Sequence, residues 1–376
     1  MNGIILIDKP KDWTSHDAVN IVRRWAREVS GDRKIRVGHA GTLDPLATGV
    51  LPICVGRATK FVDFIGNERK QYRATMRLGI VSDTQDVTGK LEVRSEKFEV
   101  NEEILRSKIS EFIGVIQQVP PMYSAIKKDG IKLYDLARKG IEVERRPREI
   151  TIYDIKILGM DLPDVEILVD CSKGTYIRTL CHDIGAALGC GAVLAELVRT
   201  KVGSFDVSEC RQIRSEKLGV RSDFEFVNVS VCIGTFDGVH EGHKKLVELA
   251  KKEGRKVAAL VVEPDDGSGA ELTSAEEKAD KLRQAGADMV ISVPLKSVRD
   301  LSPEDFFEEY IVRRLNAKAV AVGFNFSFGR KQRGNVDTLK ELCDKKGIEL
   351  RILEPVVDER GAVISSTALK NLMNNE

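Results

Sequence analysis

Asp44 stands in the densest run of unusual residues in the chain, Val37-Gly38-His39-Ala40-Gly41-Thr42-Leu43-Asp44-Pro45-Leu46-Ala47-Thr48-Gly49. Its glycines permit backbone angles and close ligand approach that other residues hinder. Pro45 fixes the chain beside a lone carboxylate, and the run feeds the apolar Val50-Leu51-Pro52-Ile53. A carboxylate on so rigid a turn can serve as nucleophile or general base. A phosphate-cradling loop is the competing reading, although the G-K-[ST] ending is missing. An Asp-Pro turn without chemistry is the third. Further along, Lys173-Gly174-Thr175-Tyr176-Ile177-Arg178-Thr179-Leu180 follows an apolar strand and opens a helical pattern, so Arg178 is expected to project from a strand end. An arginine beside a carboxylate keeps it ionised, lowering its pKa by ~1–3 units, and orients it through paired hydrogen bonds. An ordinary strand-to-helix turn would carry the same string.

A second chemical run is Gly234-Thr235-Phe236-Asp237-Gly238-Val239-His240-Glu241-Gly242-His243, placed after the apolar Val227–Ile233. Its glycines allow phosphates near the backbone, and a following helix would offer its first N–H groups to an anion. Two histidines can donate to phosphate oxygens as charge builds up. Zinc is a poor alternative, since H-E-G-H spaces its histidines by three where H-E-x-x-H needs four.

The elements that must hold these runs differ between the halves of the 376-residue chain, which is long enough for two domains. In the first half, strands are expected at Tyr72–Leu78, Thr151–Leu158 and Val165–Cys171, with helices at Asp17–Val29 and Thr179–Leu188. That mixture indicates an α+β fold with a largely antiparallel sheet. After the polar stretch Arg211–Glu225, apolar runs at Val227–Ile233, Lys256–Val262, Asp288–Val293, Ala319–Val322 and Glu349–Leu353 alternate with helical patterns. Such alternation predicts a parallel sheet and an α/β Rossmann-like domain. The division expected is 1–212, a linker over 213–226, and 227–376.

Composition excludes more than it identifies. Lysine and arginine number 59 against 58 aspartate and glutamate, so no global field advertises a partner. Local basic clusters occur at Arg23, Arg24, Arg27, Arg33, Lys34 and Arg36, and again from Lys127 to Arg148; each is a solvated face or a nucleic-acid contact. Seven scattered cysteines include no C-x-x-C pair, which suggests neither a zinc site nor a disulfide framework. No apolar run approaches the ~20 residues of a membrane helix, and a cytoplasmic protein is expected.

Gly3–Pro10 with Thr14-Ser15, the Asp44 run, Gln71–Gly79, Pro121–Ala125 and Cys171–Leu180 together resemble tRNA pseudouridine synthases of the TruB type, in that family's order over about residues 1–205. The resemblance implies a pseudouridine synthase fold, isomerisation of the T-loop uridine at conventional position 55, and no metal or organic cofactor. It implies that Asp44 is the catalytic carboxylate, that Arg178 holds it ionised, and that Tyr72 stacks on the flipped uracil and receives the C5 proton. Tyr176 and Leu197 would line the uracil pocket, Lys9 would belong to the substrate site, and His39 would fill the space the base vacates. The family's small RNA-binding domain is expected to be replaced here by the α/β domain. The basic clusters would then contact the tRNA backbone.

The His240 run, with Val322–Gly329, Arg333-Gly334 and Ile364–Thr367, resembles the FMN adenylyltransferase half of bacterial riboflavin kinase/FAD synthetases over about residues 227–373. This implies transfer of AMP from Mg-ATP to FMN. Gly234, Phe236, Asp237, His240, His243, Ser365, Ser366 and Thr367 would bind nucleotide, and Asn325 would sit near magnesium and the flavin phosphate. Lys370 stands where that family usually has arginine, and a lysine lacks the planar fork. A non-catalytic nucleotide- or RNA-binding module is the alternative reading of this half.

Overall fold

The computed structural model describes residues 1–95, 99–124, 126–128, 130–213, 224–252, 254–264, 273–357 and 364. The first half builds a ten-stranded sheet from β1 (Gly3–Lys9), β2 (Val37–His39), β3 (Thr48–Val55), β4 (Lys70–Leu78), β5 (Gly114–Gln118), β6 (Arg148–Asp161), β7 (Asp164–Cys171), β8 (Ala192–Val202), β9 (Phe205–Asp206) and β10 (Arg211–Gln212). The path across it is β10-β1-β3-β8-β4-β7-β6-β5, with β2 on β3 and β9 on β8. Only the β1–β10 and β3–β8 pairings are parallel. The expected antiparallel character holds.

Strands β4 and β1 of this sheet are patterned differently, and the sequence shows why. β4 alternates inward Tyr72, Ala74 and Met76 with outward Arg73 and Arg77, so it has one wet face. β1 reads Gly-Ile-Ile-Leu-Ile and is buried on both. Ile5 and Ile7 join the core beneath helix α1 (Ser15–Ser30), while Ile4 and Leu6 point to the reverse side. Helix α1 buries Ala18, Val19, Val22 and Ala26; Thr14 and Asp17 cap its start reciprocally, and Gly31 ends it at φ +70°. A second helix, α2 (Ile177–Ala187), covers the same face.

The second half forms a five-stranded, all-parallel sheet of β11 (Val229–Gly234), β12 (Lys256–Glu263), β13 (Met289–Pro294), β14 (Ala317–Gly323) and β15 (Glu349–Leu353), in the order β13-β12-β11-β14-β15. The Rossmann-like expectation is met. One of the helical patterns between these strands begins as a short α-helix at Pro303–Phe306 and continues as a π-helix over Phe307–Arg314.

The reverse face of β1 and β3 is covered by this second domain. Ile4, Leu6, Val50 and Cys54 share one apolar cluster with Val231, Met289, Phe307 and Tyr310. Polar ties frame it. Arg283 grips the buried Glu68 with two hydrogen bonds of 2.9 and 3.1 Å, and Lys256 Nζ donates to the Ser204 carbonyl at 2.8 Å. Arg57 and Lys60 both reach Glu309. The expected linker also does more than join. Of it, residues 214–223 lie outside those described; Phe224 and Phe226 set their rings edge-on to Trp25 at 5.3 and 6.0 Å.

Candidate functional site

The Asp44 loop leaves the sheet at His39 and re-enters it at Thr48, and three buried polar groups hold it. Ser15, at the start of α1, accepts from the Leu43 N–H at 2.8 Å and donates to the Leu43 carbonyl at 3.1 Å. Lys9, 0% exposed at the end of β1, donates to the carbonyls of Trp13 (2.6 Å), Pro10 (2.8 Å) and Pro45 (3.4 Å). Arg199, 1% exposed on β8, donates to Val50 (2.8 Å), Gly41 (3.1 Å) and Thr42 (3.3 Å). Gly49 has to be glycine: its φ is +100°, and a Cβ would lie 2.2 Å from the Arg199 carbonyl oxygen.

Arg178 approaches this loop from α2. It occupies the helix's first turn, not a strand end, because the chain after β7 turns through Ser172–Thr175 before Tyr176 caps the helix. Its Nη2 lies 3.1 Å from Asp44 Oδ2 and donates to the Tyr123 carbonyl at 2.5 Å. Its Nη1 lies 3.6 Å from Asp86 Oδ2. Asp86 is fixed in turn by the hydroxyls of Thr84 (2.8 Å) and Thr88 (2.5 Å) and by the Thr88 N–H (2.9 Å). One nearly buried guanidinium thus stands between two carboxylates.

The electrostatics depart from the expectation for Asp44. Burial raises its pKa above the usual carboxylate value; Arg178 opposes this, Asp86 adds to it, and the upward push prevails. An arginine contact alone predicted the opposite sign. Burial also brings Lys9 down to about 8. It raises the Tyr72 and Tyr176 phenols, and lowers His39, whose Nδ1 is buried without a hydrogen-bond partner.

The remaining residues gather at the same place. Tyr72 lies opposite Arg199 and Ala74 opposite Leu197 on adjacent strands, so Tyr72 and Leu197 share the inner face. They belong to one apolar cluster with Leu43. Tyr176 is pinned by Gln118, which accepts from its N–H at 2.8 Å and donates to its carbonyl at 3.1 Å. Asp86, Arg199 and Gln118 escaped the sequence reading. For Arg199 a signal existed: it sits two residues from Leu197, on the same buried face. The cleft offers a held carboxylate, an aromatic and apolar lining, and a guanidinium that can compensate charge.

The second site lies at the C-terminal edge of the parallel sheet, beside its central strand β11, where open α/β sheets bind ligands. A cavity of about 580 Å³ is lined by Gly234, His240, His243, Asn325, Phe326 and Phe328 among others. His240 is the N-cap of helix α3 (Glu241–Ala250), and its ring stacks on His243 at 3.7 Å. The Nδ1 atoms of both are buried without a partner. Burial and the neighbouring His240 push His243 down to about 3, and burial lowers His240 as well. Gly242 permits the stacking, since a Cβ there would come within 3.1 Å of the His240 ring. Phe236 and Asp237 are brought behind the wall, not onto it: Phe236 is wholly buried at a positive φ of 50° and backs His243 at 5.2 Å. Ser365, Ser366, Thr367 and Lys370 lie outside the described residues. Among the described residues, no group of three or more His, Cys, Asp or Glu side chains could hold a metal, and no helix is long and apolar enough to cross a membrane.

Comparison with known proteins decides the first half. A relative from Clostridium tetani, named tRNA pseudouridine synthase B, is 51% identical over 227 residues, covering 60% of this chain and 76% of the relative. The chain belongs to the tRNA pseudouridine synthase B family. A second relative of that name, from Clostridium acetobutylicum, is 49% identical over 250 residues, 66% of this chain and 83% of the relative. The family description TruB family pseudouridylate synthase (N terminal domain) matches residues 27–177, and tRNA pseudouridylate synthase B C-terminal domain matches 178–220. The described part of the latter is α2 and strands β8–β10, woven into the large sheet. FAD synthetase matches residues 225–368. A solved Cbf5-Nop10-Gar1 complex aligns with 33% identity over 56% of this chain and 52% of that one, at a TM-score of 0.43. The enzyme is therefore a pseudouridine synthase carrying a FAD synthetase-like domain.

Proposed function

We propose that the Asp44 cleft converts the T-loop uridine of tRNA, at conventional position 55, to pseudouridine. The observation that supports this most directly is the Asp44–Arg178–Asp86 arrangement facing Tyr72, Tyr176 and Leu197. The reaction breaks the C1′–N1 bond, turns the uracil and forms C1′–C5; the C5 proton leaves and N1 gains one. Asp44 acts as the carboxylate that attacks or stabilises the ribose–uracil intermediate, and Arg178 compensates its charge. The base must leave its stack first, at a cost of a few kcal/mol that stacking on Tyr72 offsets. His39 takes the vacated space at the end of β2, where the Asp44 loop leaves the sheet. Lys9 shapes the loop. Such a substrate is met in the cytoplasm, and the division of labour proposed assigns this reaction to residues 1–212.

For the second domain, we propose transfer of AMP from ATP to FMN, giving FAD and pyrophosphate. The fit rests on two desolvated histidines with unsatisfied Nδ1 atoms at a helix N-terminus, opening on a cavity with phenylalanines in its wall. Neutral imidazoles and backbone N–H groups would receive the phosphates, and the phenylalanines suit a flat ring. Magnesium, arriving with ATP, would neutralise phosphate charge near Asn325. Incubation with FMN, ATP and magnesium, followed by chromatography, tests this. FAD that disappears in His240→Ala supports the transferase; no FAD from the intact protein, with pseudouridine still formed, leaves a non-catalytic module.

A further inference from the structure

Arg178 reaches Asp86 across a wider gap than it reaches Asp44, 3.6 Å against 3.1 Å, so the ion pair alone is a loose guide to where Asp86 sits. Oδ1 of Asp86 is taken up inside its own turn, by the Thr84 hydroxyl and by the hydroxyl and N–H of Thr88. Oδ2 is left for the guanidinium. These local bonds orient the carboxylate within the turn, but they do not place the turn in the fold. Two backbone bonds dock it on β8: the Leu194 N–H donates to the Gln85 carbonyl at 3.1 Å, and the Val87 N–H donates to the Leu194 carbonyl at 3.0 Å. A side-chain bond ties it to α2, where the Thr179 hydroxyl donates to Gln85 Oε1 at 2.7 Å. Gln85 precedes Asp86 and Thr179 follows Arg178, so this bond joins the immediate neighbours of the two ion-pair partners.

The backbone of Gln85 shows that its side chain matters there. Its φ is +64°, in the left-handed region that glycine enters freely and a residue with a Cβ enters at a cost. Among the described residues of the first half, Asp12 is the other non-glycine residue with a positive φ. Glycine would make this turn with less strain, yet it has no amide to receive the Thr179 hydroxyl. Thr179 is 2% exposed, so the bond is made away from water.

We propose that Gln85 is a positioning residue for the isomerisation: through Thr179 it holds the Asp86 turn against α2 and keeps Arg178 between its two carboxylates. It acts through Asp86 and Arg178 and carries no bond-making or proton-transfer step itself. Without the bond, the turn keeps its Leu194 anchors but can tilt away from α2. The guanidinium then follows Asp86 or swings to Asp44 alone, and the attacking carboxylate loses its fixed setting. A displacement of ~1 Å at reacting groups can cost ~10²-fold in rate. The uracil pocket is built from Tyr72, Tyr176 and Leu197, so the loss should fall on the chemical step and spare tRNA affinity. This inference rests on the reading of the Asp44 cleft as the site of uridine conversion.

The strain at Gln85 makes the test selective, because Gln85→Gly deletes the amide and relieves the backbone at one position. The rate of the chemical step would be read as tritium released from tRNA labelled at uridine C5, in single turnover with the full-length protein in excess. Dissociation constants for tRNA and melting temperatures would be measured beside it. Gln85→Gly and Thr179→Val should each slow the step about tenfold or more, with tRNA affinity within about twofold of the intact protein. Melting temperatures should stay within about 3 °C. The double variant should be no slower than the slower single one, since both remove the same bond. Thr179→Ser, which keeps the hydroxyl, should restore the rate. Full-rate turnover in Gln85→Gly or Thr179→Val overturns the inference, as do losses that multiply in the double variant or that track a fall in melting temperature. Gln85→Gly at full rate beside an inactive Asp44→Asn would sink this inference alone. An intact protein that converts no uridine would refute the reading of the cleft and this inference with it.

Discussion

The two sites handle buried charge in opposite ways. Around Asp44 the protein answers charge with charge: Arg178 lies between two carboxylates, and Lys9 and Arg199 are each spent on three backbone carbonyls. Around His240 it removes charge, with desolvation leaving two stacked neutral imidazoles whose Nδ1 atoms bond to nothing. A site of the first kind is shaped before its substrate arrives. A site of the second kind keeps its imidazoles uncharged beside the cavity. The difference suits a reaction that needs a fixed carboxylate on one side, and phosphate recognition on the other.

The comparison breaks most visibly at Asp44. Asp44→Asn should cut pseudouridine formation by ~10⁴-fold or more while tRNA binding persists; substantial turnover measured by nucleoside mass spectrometry would remove the carboxylate from its role. Next, His243→Ala should lower FAD formation by ~10²-fold or more while pseudouridine formation stays at its original rate. The pH behaviour should separate the sites further. Asp44 must be ionised and its pKa is raised, so turnover is lost as pH falls through that raised value. Arg178 is the larger of the two cationic influences that lower it, Lys9 being the other, so Arg178→Gln should move the acid limb upward by ~1–3 pH units. His243, at about 3 instead of 6.5, stays neutral, and FAD formation should show no acid limb near 6.5 from it. The smallest difference should lie in stability. Phe307→Ala, in the apolar layer between the domains, should cost about 3–5 kcal/mol in urea titration, and both halves should lose it together. Separate transitions, with only the second domain weakened, would argue that the layer does not couple them.

Much of this was legible because the key side chains sit in strings whose local geometry is unusual. Asp44 is bracketed by glycines and proline, and His240 and His243 flank a glycine just before a helix. Arg178 was found in the string but placed on the wrong element, because periodicity does not show that Ser172–Thr175 spend four residues turning. Asp86 was missed for a different reason. In Thr84-Gln85-Asp86-Val87-Thr88 it looks like an exposed turn, and only tertiary contact with α2 shows that its carboxylate is buried against Arg178. The sign of the Asp44 shift was also out of reach, since it depends on how much protein surrounds the carboxylate and not on its neighbours in sequence. The unbroken Gly-Ile-Ile-Leu-Ile of β1 has the apolar pattern of a strand covered on both faces, a signal that escaped the sequence reading.

That doubly covered strand sets a problem of timing during synthesis. β1 leaves the ribosome well before its partners in the layer, from Val229 to Tyr310, which are made some 225 to 305 residues later. At ~5–20 residues per second, Ile4 and Leu6 wait roughly 10–60 s for their cover. During that interval the nascent first domain presents an apolar stripe to whatever passes, and a trigger for aggregation or a foothold for a chaperone is written into its opening residues.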